Sequence, residues 1–193
     1  MAGWARYTLA IVLGLALGLG GAWVLTNRGL AGGQIVNGPW QTSLGYGVKA
    51  TDPLTRAAVA RSGLLALPAT ETIYWQATKD SEGRALDGAC TYALTGSALD
   101  ARWWSVTLYD TAGYLMPNAA NIWSVNGANV PLDGQGKWQV AIAPDRPSAG
   151  GWLPSARHQG FHLTLRMYNP EQAFMAAPTK AALPEIVRMD CLR

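Results

Sequence analysis

The chain changes hydrophobic period once along its length. Tyr7 to Leu25 is an uncharged run of 19 residues, flanked by Arg6 and by Asn27-Arg28. At 1.5 Å per helical residue such a run crosses a hydrocarbon layer of ~30 Å. The pattern predicts an uncleaved transmembrane anchor over residues 1–28. A cleaved signal peptide is the alternative, because a small-x-small sequence, Gly29-Leu30-Ala31, follows. The apolar region of a signal peptide is shorter, however, at ~7–15 residues. Ala10, Gly14, Gly18 and Ala22 recur every four residues and so share one helical face. Small residues there let a second helix approach closely, which makes a homo-oligomer through this helix an expectation. The simpler reading is that Gly and Ala are frequent in membrane helices.

Residues 29–50 read as a Gly-rich tether, and residues 51–193 as one domain. Asp52-Pro53 places an N-cap and a first-turn proline at the start of a short amphipathic helix, expected over 53–67, with Pro68 as its stop. From Thr70 the period becomes two. Ile73, Trp75 and Ala77 alternate with Thr72, Tyr74, Gln76 and Thr78, and Cys90, Tyr92 and Leu94 fit the next strand. Trp104, Val106 and Leu108 take one face of a strand, with Trp103, Ser105, Thr107 and Tyr109 on the other. Further strands fall near 122–126, 138–143 and 161–168. Short strands separated by Asp-Gly and Pro-Asp turns predict a mainly β protein, a jelly-roll-like antiparallel β-sandwich behind the helices.

Charge narrows the class. The 193 residues carry a formal charge of +3 and a pI near 9.0, which first suggests nucleic acid. Yet Arg6 and Arg28 flank the apolar run, and the chain beyond residue 31 holds 13 basic and 12 acidic residues. No basic cluster exists, so no nucleic-acid partner is expected. Cys90 and Cys191 are the two cysteines. An even count in an exported chain favours a disulfide, with two free thiols as the alternative. Export in turn places the N-terminus in the cytoplasm, the anchor as a single pass and the domain on the far side of the membrane. The positive-inside rule adds little, since basic residues stand on both sides.

Motifs for catalysis are missing. The chain has no G-x-S-x-G, H-E-x-x-H, G-x-x-x-x-G-K-[ST] or C-x-x-C. His158 and His162 are its only histidines; Pro154 and Gly160 break any helix through this stretch, His162 falls in a strand, and a catalytic zinc wants three protein ligands, so no metal or cofactor is expected. A polar row remains. If Phe161, Leu163, Leu165 and Met167 face the core, His162, Thr164, Arg166 and Tyr168 face away. Set beside Tyr109, Thr107 and Ser105, and beside Tyr74 and Gln76, this row would form a patch of tyrosines with one guanidinium. Such a patch suits a sugar, an aromatic compound or a carboxylate. The simpler reading is ordinary cross-strand pairing on a solvated face. Of Trp103-Trp104, one indole must face away from the other.

Several motifs stand in a recognisable order: Leu67-Pro68-x-x-Glu71-x-x-Tyr74, Asp80-x-x-Gly83, Leu86-x-Gly88 and Tyr92, then Trp104-Ser105-x-Thr107-Leu108-Tyr109-Asp110, Asn118 and Asn121-x-x-Ser124. Trp152-Leu153-Pro154 and Phe161-x-Leu163-x-Leu165-Arg166-x-Tyr168-x-Pro170 close the set. Over roughly residues 65–190 it resembles the DUF1214 family of unknown function. The resemblance implies a jelly-roll-like sandwich in a bacterial protein. It also implies a short, anchored form without the DUF1254 domain that precedes this one in many relatives, and hence a companion DUF1254-type protein in trans. It brings no catalytic residues. Asp110 would serve a turn, Asn118 a strand end, and Arg166 a pairing with an acid.

Two functional readings follow. The first is a membrane-anchored periplasmic module that binds a partner protein and catalyses nothing. The second is an enzyme or small-molecule binder using Tyr74, Tyr109, His162 and Arg166, with Arg166 on an anionic group and His162 as the proton carrier.

Overall fold

A computed structural model describes residues 2–28, 34–48, 52–61 and 66–191. Residues 29–33, with the small-x-small sequence, and 49–50 of the expected tether lie outside them, as do residues 62–65 of the expected helix. Ala2–Arg28 form a single helix, α1. Within it Gly3–Thr26, whose most apolar 18 residues have a mean hydropathy of 2.1, is long and apolar enough to cross a membrane, a property shared by anchors and signal sequences. Ala10, Gly14, Gly18 and Ala22 lie exposed along it, and nothing stands within 4 Å of where a Cβ on Gly14 or Gly18 would be.

The segment read as tether is partly folded. Residues Ile35–Asn37 (β1) and Trp40–Thr42 (β2) form a hairpin that joins the domain. Three-residue strands carry too little alternation to be seen in a sequence. What fixes them is tertiary: Trp40 is fully buried with its indole N–H on Pro184 O at 2.7 Å, and the Asn37 amide donates to Pro178 O and Ala181 O. Helix α2 (Pro53–Arg61) starts as expected, Asp52 Oδ1 accepting the N–H groups of Leu54 and Thr55. Ala66–Pro68 are not helical.

Eight more strands follow: β3 (Thr72–Ala77), β4 (Cys90–Gly96), β5 (Ala101–Asp110), β6 (Ser124–Asn126), β7 (Trp138–Ala143), β8 (Gly151–Pro154), β9 (Phe161–Pro170) and β10 (Glu185–Cys191). A five-residue helix α3 (Gln172–Ala176) and a 3-10 turn separate the last two. One sheet has the order β1-β2-β3-β9-β5-β6, the other β10-β4-β7-β8, and they pack as a sandwich without closing into a barrel. All neighbours are antiparallel except β7 and β8. These run parallel, Val140 opposite Gly151, across a connection of only seven residues, 144–150.

The core is built from the predicted inner faces together with Leu153 and Ile186, whose strands β8 and β10 lie outside the predicted set. Ile73, Trp75, Val106, Leu108, Leu163, Leu165 and Met167 from the larger sheet meet Leu94, Trp138, Val140, Ile142, Leu153 and Ile186 from the smaller, all at 3% exposure or less. Trp104 is buried and stacks on Trp138 at 4.9 Å, while Trp103 turns outward against Tyr168. Gly96 is required beneath Trp138, since a Cβ there would stand 2.5 Å from the indole. Cys90 and Cys191 are bonded, opposite one another on β4 and β10. Near them Asp80, fully buried, accepts the N–H groups of Glu82 and Arg84 and the Arg84 Nε, and Arg188 Nε of β10 lies 3.1 Å away as an ion pair without hydrogen-bond alignment.

Candidate functional site

The outer face of the six-stranded sheet carries the predicted row. β9 lies between β3 and β5, and the register sets Tyr74 opposite Arg166, Arg166 opposite Ser105, Thr164 opposite Thr107, and His162 opposite Tyr109. Opposite residues share a face, so all four candidates stand together. Alternation set the face of each strand, and the strand order β3-β9-β5 brought the rows together.

The face differs from expectation in its burial. Thr72, Tyr74, Ser105, Thr107 and Thr164 are all buried, so it is not simply solvated. Residues Ser105, Thr107 and Thr164 are short, leaving a floor over which Arg166 lies half-buried. Its Nη1 donates to Thr107 Oγ1 at 3.2 Å and its Nη2 to Tyr109 Oη at 2.8 Å, with the guanidinium 5.6 Å from the Tyr109 ring centre. Arg166 is therefore paired with hydroxyls, not with the acid expected, and no carboxylate reaches it among the described residues. Accepting from Arg166 leaves the Tyr109 O–H free to donate.

His162 stacks on Tyr109 at 5.5 Å and 16° between planes. Burial pushes its pKa below the ordinary value, against an upward pull from Asp110. The Tyr74 hydroxyl accepts the Leu67 N–H. Taken as a unit, the face offers a fixed cation, a phenolic donor and an aromatic pair, which together suit an oxyanion attached to an apolar or ring-bearing group.

Asp110, Asn118 and Gly88 serve the fold. Asp110 Oδ1 caps the turn by accepting from Ala112 and Tyr114, and Asn118 ties its loop through Met116 O and both backbone groups of Ile122. Gly88 faces Ala156 so closely that a Cβ would sit 1.8 Å from the carbonyl oxygen. His158 stands in the β8–β9 turn at φ 56°, apart from the strand that holds His162. Among the described residues no three His, Cys, Asp or Glu side chains converge as metal ligands. Reading the sequence missed Thr107 as a hydrogen-bond seat for Arg166. Its place in the row was visible, but the seat shows only once β9 and β5 are neighbours.

The fold has a counterpart among solved structures. A crystal structure of the VPA0106 protein from Vibrio parahaemolyticus superimposes with a TM-score of 0.61 at 23% identity, over 73% of this chain and 36% of that one. This chain thus spans about a third of the length of that relative. A putative uncharacterized protein from Burkholderia cenocepacia aligns with a TM-score of 0.48 at 16% identity, over 62% of this chain and 30% of that one. No curated protein matches. The family model described as "Protein of unknown function (DUF1214)" covers residues 71–172, more than half the chain and the whole of the polar face on β3, β5 and β9, so the chain belongs to the DUF1214 family.

Proposed function

We propose that this chain is a membrane-anchored binding module whose polar sheet face recognises a carboxylate on a companion protein. In this reading α1 holds it by a single pass in a bacterial inner membrane, and the sandwich stands in the periplasm. The hydropathy of α1 and the Cys90–Cys191 bond support that placement, since disulfides persist in oxidising compartments. One observation carries the recognition: Arg166 is held rigid by Thr107 and Tyr109 at the middle of the face, with no carboxylate of its own among the described residues. Arg and Tyr are the residue types that dominate interface energies when a partner seals them from water. A DUF1254-type protein is the companion the family resemblance suggests.

The test is affinity purification of the full chain from membranes in mild detergent, beside Arg166→Ala. A companion recovered in fixed proportion with the natural chain and lost with the variant supports the proposal. Recovery of the chain alone at reproducible depth refutes it. The stacked, neutral His162 on Tyr109 favours a second reading, a small sugar, aromatic or carboxylate ligand on the same face. Binding of such a compound that disappears with Arg166→Ala, in the absence of any protein partner, distinguishes it.

A further inference from the structure

The sandwich is open along the side where β6 of the larger sheet faces β8 of the smaller. Both are edge strands, of three and four residues, too short to cover the gap. A groove of about 650 Å³ opens there, lined by none of Tyr74, Tyr109, His162 and Arg166. Its volume lies within the ~300–1,000 Å³ range of sites that hold small molecules.

Its chemistry is mixed in a particular way. Trp123 and Trp152 line it half-buried, and Arg146 lies 5.9 Å over the Trp152 ring. The Trp152 indole N–H is already spent on Ala143 O and Arg146 covers one face of the ring, which leaves Trp152 its other face and edge. No Asp or Glu lines the groove. The nearest acid in sequence, Asp145, is ion-paired with Arg157, which leaves Arg146 without a carboxylate among the described residues. Asn121, Asn129 and Ser124 supply polar groups; Asn129 Oδ1 accepts the Asn126 N–H and leaves its two amide donors. Asn121 is held at φ 54°, a left-handed conformation that asparagine tolerates. The outer edge of β8 adds backbone groups that no strand pairs, whereas on β6 the Asn126 N–H is spent on Asn129 Oδ1 and its carbonyl on the Asn129 and Val130 N–H groups.

We infer that this groove binds an acidic saccharide, a short pyranose chain bearing carboxylates. Indole faces take the C–H faces of sugar rings, amides and edge backbone groups take hydroxyls, and Arg146 takes the carboxylate. A neutral sugar would leave the Arg146 charge unused. A flat aromatic acid would leave the amides and edge groups without partners. The site goes beyond the sheet face proposed above and does not depend on it.

The experiment is calorimetric titration of the full chain in detergent micelles with trigalacturonate, maltotriose and a tri-aspartate peptide. Trigalacturonate is expected to bind at least about tenfold more tightly than maltotriose, the factor set by one charge-assisted hydrogen bond. Arg146→Gln, an exposed substitution whose melting curve checks folding, should remove that preference and leave maltotriose within about twofold. Trp123→Ala should weaken both sugars by about threefold or more. No binding of trigalacturonate up to about 10 mM overturns the inference. So does equal binding of the tri-aspartate peptide, which would make the site a peptide groove, or an affinity that Arg146→Gln leaves unchanged.

Discussion

Replacing Cys90 and Cys191 together by Ala tests what holds the C-terminal strand. The bond joins residues 101 apart, so in the chain-entropy picture its loss returns to the unfolded state the freedom of a loop of that size, worth about 4.7 kcal/mol. For a domain of this length about 1 kcal/mol moves the melting temperature by ~4 °C, which makes the expected fall ~15–20 °C. That figure is an upper bound, because residual structure in the unfolded chain reduces the freedom returned; in the native state β10 is also held at other points. The Glu185–Arg188 stretch pairs with β4, Ser81 bonds Ile186 through both backbone and hydroxyl, and Arg188 lies against Asp80 and the Tyr92 ring. The ladder slips between Arg188 and Cys191, so the bonded end could fray without the rest. Thermal melts of the full chain in detergent, natural and double variant, with and without reductant, measure the loss. Amide exchange at Ile186 and Val187 shows whether it reaches the strand. A fall of less than ~4 °C with unchanged exchange would refute the reasoning, and β10 would then owe its place to packing and the Asp80 cluster alone.

Asp80→Asn should cost about 3 kcal/mol, since it leaves Arg188 facing a neutral group at a buried site; a cost below ~1 kcal/mol in denaturant melts contradicts the assigned role. Burial alone would raise the Asp80 pKa, but the N–H groups of Arg84 and Glu82 and the Arg84 guanidinium hold it below the ordinary carboxylate range. Its stabilisation is therefore fully present above about pH 4 and is lost as pH falls through the folded-state value. His162 acts in the same direction at higher pH. Its folded pKa is depressed by burial, so the unfolded chain binds more protons below about pH 6.5 and stability declines as pH drops from there; His162→Gln should flatten that part of a melting-temperature profile. Gly88→Ala should destabilise by about 3 kcal/mol or prevent folding, because the new Cβ meets a backbone carbonyl that cannot swing away. A normal melt for that variant would mean the Ala156 loop is free to move.

The sequence by itself determined the elements whose side chains repeat over six residues or more. The inner faces of β3, β5 and β9 were legible because each alternates apolar and polar residues over a length that only one face can bury. The same alternation placed Tyr74, Tyr109, His162 and Arg166 on the outer face. α1 was legible from length and hydropathy, and the start of α2 from a single cap. Only the tertiary structure decided the rest. The β1–β2 hairpin is held by Trp40 and Asn37 reaching segments some 140 residues away, and no local pattern records such a contact. Whether the polar row was solvated depended on which strands became neighbours, and it is their order, β3-β9-β5, that lays Arg166 over Thr107 and Tyr109. The groove between β6 and β8 draws Trp123, Arg146 and Trp152 from three separate loops and edges, joined by the failure of two short strands to close the sheets. Periodicity reports what each strand buries; proximity between strands is set by the packing of the whole core, and function at a surface depends on the second.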